Sequence, residues 1–160
     1  MRRTYAVLVE NKPGVLSKVA GLFARRGYNI ESLVVSETDD SSTSRMTIVV
    51  EGDARILEQV GKQLNKQIDV IKVNDVTDEE TVERQLCLIR VKTEDLDARQ
   101  EVMQITEVFR GNVVDIDRKS LIIEVTGDED KVRAMVRALR PFGVAELVST
   151  GKVAMLRGGG

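Results

Sequence analysis

The chain follows the same plan twice, and this duplication limits its possible folds more than any other feature. In the first half, "LFARRGYNI" places Phe23 one short step before a helix-ending glycine, with an extended stretch after it. In the second half, "VFRGNVV" does the same with Phe109. Around each echo, the spacing of apolar residues predicts strand, helix, two strands, helix and strand. A chain of 160 residues, 42% of them hydrophobic, fits one large domain or two small ones. The repeat selects two.

The first unit opens with a strand at Thr4–Glu10, where Tyr5, Val7 and Val9 alternate with Ala6 and Leu8. A helix follows at about Pro13–Arg26. Its apolar stripe is Val15, Leu16, Val19, Ala20, Leu22 and Phe23, and Arg25 and Arg26 suit the negative end of its dipole before Gly27 ends it. Strands at Ile30–Glu37 and Arg45–Glu51 flank a polar loop. A second helix at Asp53–Lys66, capped by Asp53, turns Ile56, Leu57, Val60 and Leu64 inward, and a strand at Asp69–Val76 closes the unit. The charged "TDEETVE" lacks long apolar residues and reads as a linker. The order then repeats: strand Gln85–Lys92, helix Leu96–Arg110, strands Asn112–Asp117 and Ser120–Thr126, helix Asp128–Arg140, strand Val144–Thr150. The expected fold is α+β, two ferredoxin-like βαββαβ sandwiches in tandem over 1–77 and 85–160, with the linker at 78–84.

Composition removes most functions. A formal charge of −2 and 3% aromatic residues argue against nucleic acid, which wants a basic face and stacking rings. No run of about 18 apolar residues suggests a membrane span. Met1-Arg2-Arg3 leads into a strand and not a signal peptide, so a cytoplasmic protein is expected. The sequence contains no histidine, which rules out Ser-His or Cys-His nucleophiles and His-based metal sites. Cys87, inside "QLCLIRV", reads as a small core residue. The final "GGG" lacks the lysine and helix of a phosphate loop, and "TDDSSTS" lacks the ligand spacing of an EF-hand and reads as a solvated turn. No catalytic or metal-binding residue is expected.

The echo fails at one place. The first copy enters its helix through Asn11-Lys12-Pro13-Gly14, whereas the second has "KTEDLDARQ", without proline or glycine and with added charge. Glycine in a first helical turn costs about 1 kcal/mol relative to alanine. A helix N-terminus offers unpaired amides and positive potential, so a small carboxylate can approach there past a missing Cβ. Asn11 can accept from a ligand ammonium and donate to a carboxylate. Asn29, past the other end of the helix, has the same chemistry but lies about 20 Å away. Two subunits about a twofold axis would bring the two ends together. Taken singly, each residue has an ordinary structural role. Together, and missing from the second copy, they favour binding.

These residues carry a resemblance. The first half resembles an ACT domain, a small-molecule sensing fold. "ENKPGVLSKVAGLFARRGYNIESL", "SRMTIVVEGD", "LEQVGKQLNKQIDVIKV" and "TEVFRGNVVDI" are similar to the small regulatory subunit of acetohydroxyacid (acetolactate) synthase. The resemblance implies a homodimer without activity of its own. Its partner would be a catalytic large subunit that carries thiamine diphosphate, Mg²⁺ and FAD and condenses two 2-oxo acids. The small subunit would raise that activity and make it sensitive to valine. By position, Asn11, Gly14, Val15 and Leu16 would come from one subunit and Asn29 and Ile30 from the other, with Ser17 close by. None of the partner's cofactors would bind here. Two alternatives remain: a free-standing ACT protein acting on a transcription or signalling partner, and an enzyme in its own right.

Overall fold

The computed structural model describes residues 1–159. The chain divides into two compact units, the first comprising Met1–Val82 with the chain from Lys152 onward, the second Glu83–Gly151. Each contains one βαββαβ sandwich.

In the first unit, β1 (Arg2–Glu10), α1 (Val15–Arg26), β2 (Asn29–Glu37), β3 (Thr43–Glu51), α2 (Ala54–Asn65) and β4 (Val70–Asp75) follow in order. The strands form an antiparallel sheet in the order β2-β3-β1-β4. Alternation decides which residues are buried. Tyr5, Val7 and Val9 of β1 and Met46, Ile48 and Val50 of β3 share one core with Val19, Leu22 and Phe23 of α1 and Leu57, Val60 and Leu64 of α2. The one phenol in that core is satisfied, since the Tyr5 hydroxyl donates to the Leu57 carbonyl at 2.7 Å. Burial pushes its pKa up.

The second unit repeats the plan with β5 (Thr81–Lys92), α3 (Leu96–Val108), β6 (Asn112–Ile116), β7 (Ser120–Gly127), α4 (Glu129–Leu139) and β8 (Val144–Ser149). Its main strand order, β6-β7-β5-β8, is the first shifted by one copy. Cys87, Ile89 and Val91 pack with Leu121, Ile123 and Val125 and with Val102, Met135 and Leu139 of the helices. Gly111 departs from its counterpart. Gly27 ends α1 in the left-handed region with φ 67°, but after α3 that conformation falls on Arg110, at φ 55°. Gly111 is instead required for space, because a Cβ there would lie 2.9 Å from the Glu124 carbonyl.

Two stretches differ from the sequence expectation. Within the expected linker 78–84, the residues from Thr81 on already belong to β5. Beyond β8 the chain forms a further strand, β9 (Val153–Leu156), which pairs with β5. The sequence placed this segment in the second unit, but it groups with the first. There Ala154 and Leu156 pack with Ala6 and Val76. The Arg45 Nη2 donates to the Ala154 carbonyl at 2.5 Å, the Lys152 amide to Ser32 Oγ at 3.2 Å, and the Arg157 amide to the Glu80 carbonyl at 2.9 Å. Ala6 alternates with the core residues Tyr5 and Val7, so the tail lies on the sheet face opposite the helices.

Ala154→Trp would force a large ring into that close-packed cluster, where the alanine is only 4% exposed. The tail is expected to release while the sandwich stays folded. Trypsin should then cut after Lys152 at least about tenfold faster, equivalent to about 1.4 kcal/mol of lost docking. Far-ultraviolet circular dichroism should not change. An unaltered cleavage rate would mean that this cluster does not hold the tail.

Candidate functional site

The four helices begin differently. Asp53, Asp95 and Asp128 stand at the N-caps of α2, α3 and α4 in extended conformations. Each carboxylate accepts from an amide of the first turn, respectively Ile56 at 2.9 Å, Ala98 at 2.8 Å and Lys131 at 2.8 Å. α1 has no such cap. Its N-cap is Gly14, with φ 86° and ψ −7°, and no side chain accepts from its first turn. The Val15 amide reaches the Lys12 carbonyl at 3.4 Å and the Lys18 amide reaches Gly14 at 3.0 Å. Among the described residues, no hydrogen bond engages the amides of Leu16 and Ser17. With two donors free at the positive end of the helix dipole, this entrance can accept a small anion.

Gly14 therefore has a more immediate cause than ligand access. Its positive φ is one that L side chains rarely adopt. The space above it is nonetheless open, since a Cβ there would meet nothing within 4 Å.

Asn11 does not cap the helix. Its Nδ2 donates to Glu37 Oε1 at 3.0 Å and to the Ser41 carbonyl at 2.9 Å, and its backbone amide to the Ser42 carbonyl at 2.8 Å. The residue ties the start of the entrance to the β2–β3 hairpin. Both side-chain N–H groups are used, so the free function of Asn11 is acceptance at Oδ1, and the expected donation to a ligand carboxylate is not available.

The remaining residues separate. Val15 is buried in the core, so its side chain does not face the entrance. Leu16 is 46% exposed beside it, an apolar side chain without cover, and Ser17 is exposed on the same turn. At the other end of α1, Asn29 opens β2 opposite Glu51, exposed and without a side-chain partner among the described residues. Ile30 is half-buried against the core. The helix between them is 12 residues, about 18 Å. One copy of the unit does not bring Asn11 and Asn29 together. Glu37 and Ser41, which position Asn11, were not legible in the sequence, because they lie 26 and 30 residues away in a polar turn without a periodic signal.

Other chemistry is quiet. The Cys87 thiol is buried, and burial pushes its pKa up against a hydrogen bond with Ser149, opposite to what a nucleophile needs. In the 38–44 loop, Asp40 Oδ1 accepts from the Ser42 amide and hydroxyl at 3.0 and 2.7 Å, which holds its carboxyl below the usual range. That loop is a side-chain-closed turn. Among the described residues, no group of three or more Asp, Glu or Cys stands close enough to hold a metal, and no helix is long and apolar enough to cross a membrane.

Both units match known families. Residues 6–72 match the family described as AHAS small subunit-like ACT domain, and residues 84–158 the family described as small subunit of acetolactate synthase. A probable acetolactate synthase small subunit of Archaeoglobus fulgidus is 60% identical over 99% of this chain and 98% of its own. An acetolactate synthase small subunit of Aquifex aeolicus is 55% identical over 94% of this chain and 79% of its own. The crystal structure of the acetolactate synthase small subunit from Thermotoga maritima superposes with a TM-score of 0.87 at 43% identity, covering 98% of both chains. With each unit matched by its own domain family and the whole length shared with such relatives, the chain belongs to the acetolactate synthase small-subunit family, an ACT domain followed by that family's C-terminal domain.

Proposed function

We propose that this chain, as a homodimer, activates a thiamine-diphosphate-dependent acetolactate synthase subunit and makes it inhibitable by valine. The reaction and its cofactors, thiamine diphosphate, Mg²⁺ and FAD, belong to the partner. The observation that carries the effector reading is the uncapped entrance of α1, set against three helices closed by aspartate. A valine carboxylate accepts from the Leu16 and Ser17 amides, in the space left open over Gly14. Its ammonium donates to Asn11 Oδ1. Leu16 faces the seam, and the partner subunit supplies a second Asn29 and Ile30. β2, at the sheet edge, offers an unpaired ladder for the symmetric contact.

Valine is small. An affinity of order 0.1 mM, about −5.5 kcal/mol, needs nearly full burial of its few atoms, and a subunit seam supplies it. A ligand regulates only through unequal affinity for two states of the complex, and a coupling of about 1–3 kcal/mol gives about 5- to 150-fold control. Pyruvate turnover by the purified catalytic subunit, with and without this chain and then with valine, leucine or isoleucine, tests the whole reading. Activation by the chain and inhibition by valine are expected. Turnover indifferent to the chain refutes it.

Two variants test the site. Asn29→Ala should weaken valine binding in calorimetry by about 1–3 kcal/mol, the cost of stranding polar groups, while the dimer persists. Undiminished affinity would reduce Asn29 to the start of a strand. Gly14→Asp should leave a complex that is active but no longer inhibited, because its carboxylate competes for the same amides. Gly14→Ala isolates the left-handed strain, about 1–2 kcal/mol, and should keep most of the sensitivity. Full inhibition of the Gly14→Asp complex would place the effector elsewhere.

A further inference from the structure

The sheet face opposite the helices of the first unit holds a cavity of about 430 Å³ that no role described above uses. Its floor is Ala6 and Leu8 of β1, Val76 lies at one side, and the tail supplies Met155 and Leu156 as a wall. Sheet register controls what else faces it. Arg45, Leu8 and Lys72 lie opposite one another across β3, β1 and β4. At a strand spacing of about 4.8 Å, the two cationic residues start about 10 Å apart with Leu8 between them, and both side chains are long enough to converge on one anion. Two residues along, Asn74 stands opposite Ala6 and adds an amide. Among the described residues, no carboxylate lines the cavity. Arg45 uses one of its five donors on the Ala154 carbonyl, and neither cation has an ion-pair partner among the described residues.

We propose that this cavity binds a small aliphatic carboxylate. Its head is held between Arg45 and Lys72, and its short branched body lies on Leu8, Val76 and Met155. A guanidinium fork matches a planar carboxylate, and the volume falls within the usual ligand range. The lining contains no aromatic side chain on which a heterocyclic base could stack. The remaining wall is aliphatic, which selects against a bare inorganic anion. The site is separate from the α1 entrance, which belongs to the helix side of the same sheet.

Nuclear magnetic resonance titration of the full-length protein with isovalerate tests this. Shifts are expected at Ala6, Leu8, Lys72 and Met155, with a Kd of order 1 mM for so small a ligand. Isovaleramide keeps the body without the charge and should bind at least about tenfold more weakly, as should inorganic phosphate, which keeps charge without the body. Lys72→Gln changes an exposed side chain and should weaken isovalerate severalfold without altering the fold. Met155→Ala should do so to a smaller degree. An equal response to isovaleramide, phosphate binding as tight as isovalerate, or unaffected binding by Lys72→Gln would overturn the proposal. So would isovalerate shifts confined to Gly14, Leu16 and Ser17. A parallel valine titration reads the α1 entrance separately, so either site can fail without the other.

Discussion

β1 pairs with β3 through nine consecutive residues, from Arg2 opposite Glu51 to Glu10 opposite Thr43, and both proposed binding surfaces of the first unit depend on that register. Side chains alternate across a sheet, so a slip of one residue would turn Tyr5, Val7 and Val9 away from the helices and bring Ala6 and Leu8 into the core. The burial of Met46, Ile48 and Val50 on the partner strand makes such a slip costly. Because the register holds, β1 delivers Asn11 to the hairpin at one end. Leu8 likewise stays between Arg45 and Lys72 on the opposite face.

The same sandwich built twice starts its first helix in two different ways. α3 starts at Asp95, whose carboxylate occupies its own first turn, a contact worth about 0.5–2 kcal/mol in helices generally. α1 starts at Gly14 and leaves that stabilisation unclaimed. The contrast is also one of backbone shape, since Asp95 is extended at φ −138° and Gly14 is left-handed at φ 86°. An aspartate introduced at Gly14 that relaxed toward the extended form would copy the second entrance and close the first from within.

Elements with local causes were legible in the sequence. Asp53 announces its helix, the alternation through Tyr5, Val7 and Val9 announces its strand, and the missing glycine and proline in "KTEDLDARQ" announce that the copies differ. What was not legible is what distance in the chain conceals. Four residues, Val153–Leu156, form a strand because of partners far upstream, and a run that short has no periodicity to read. Thr81–Arg84 looked like a linker from its charge, yet it is extended in β5. Of the candidate site, the unusual entrance at Pro13 and Gly14 was legible, as was the separation of Asn11 from Asn29 by the length of α1. The engagement of Asn11 by Glu37 and Ser41, and the inward turn of Val15, required the tertiary structure.

The docked tail also has a consequence in time. Arg45 must wait for Ala154, 109 residues further along the chain, before that contact can form. At about 5–20 residues per second, translation separates them by about 5–20 s, far longer than the collapse of a sandwich of this size. Throughout that interval the nascent first unit shows Ala6 and Val76 uncovered on a sheet that is otherwise complete. During synthesis, that face is apolar surface open to chaperones and to other nascent chains.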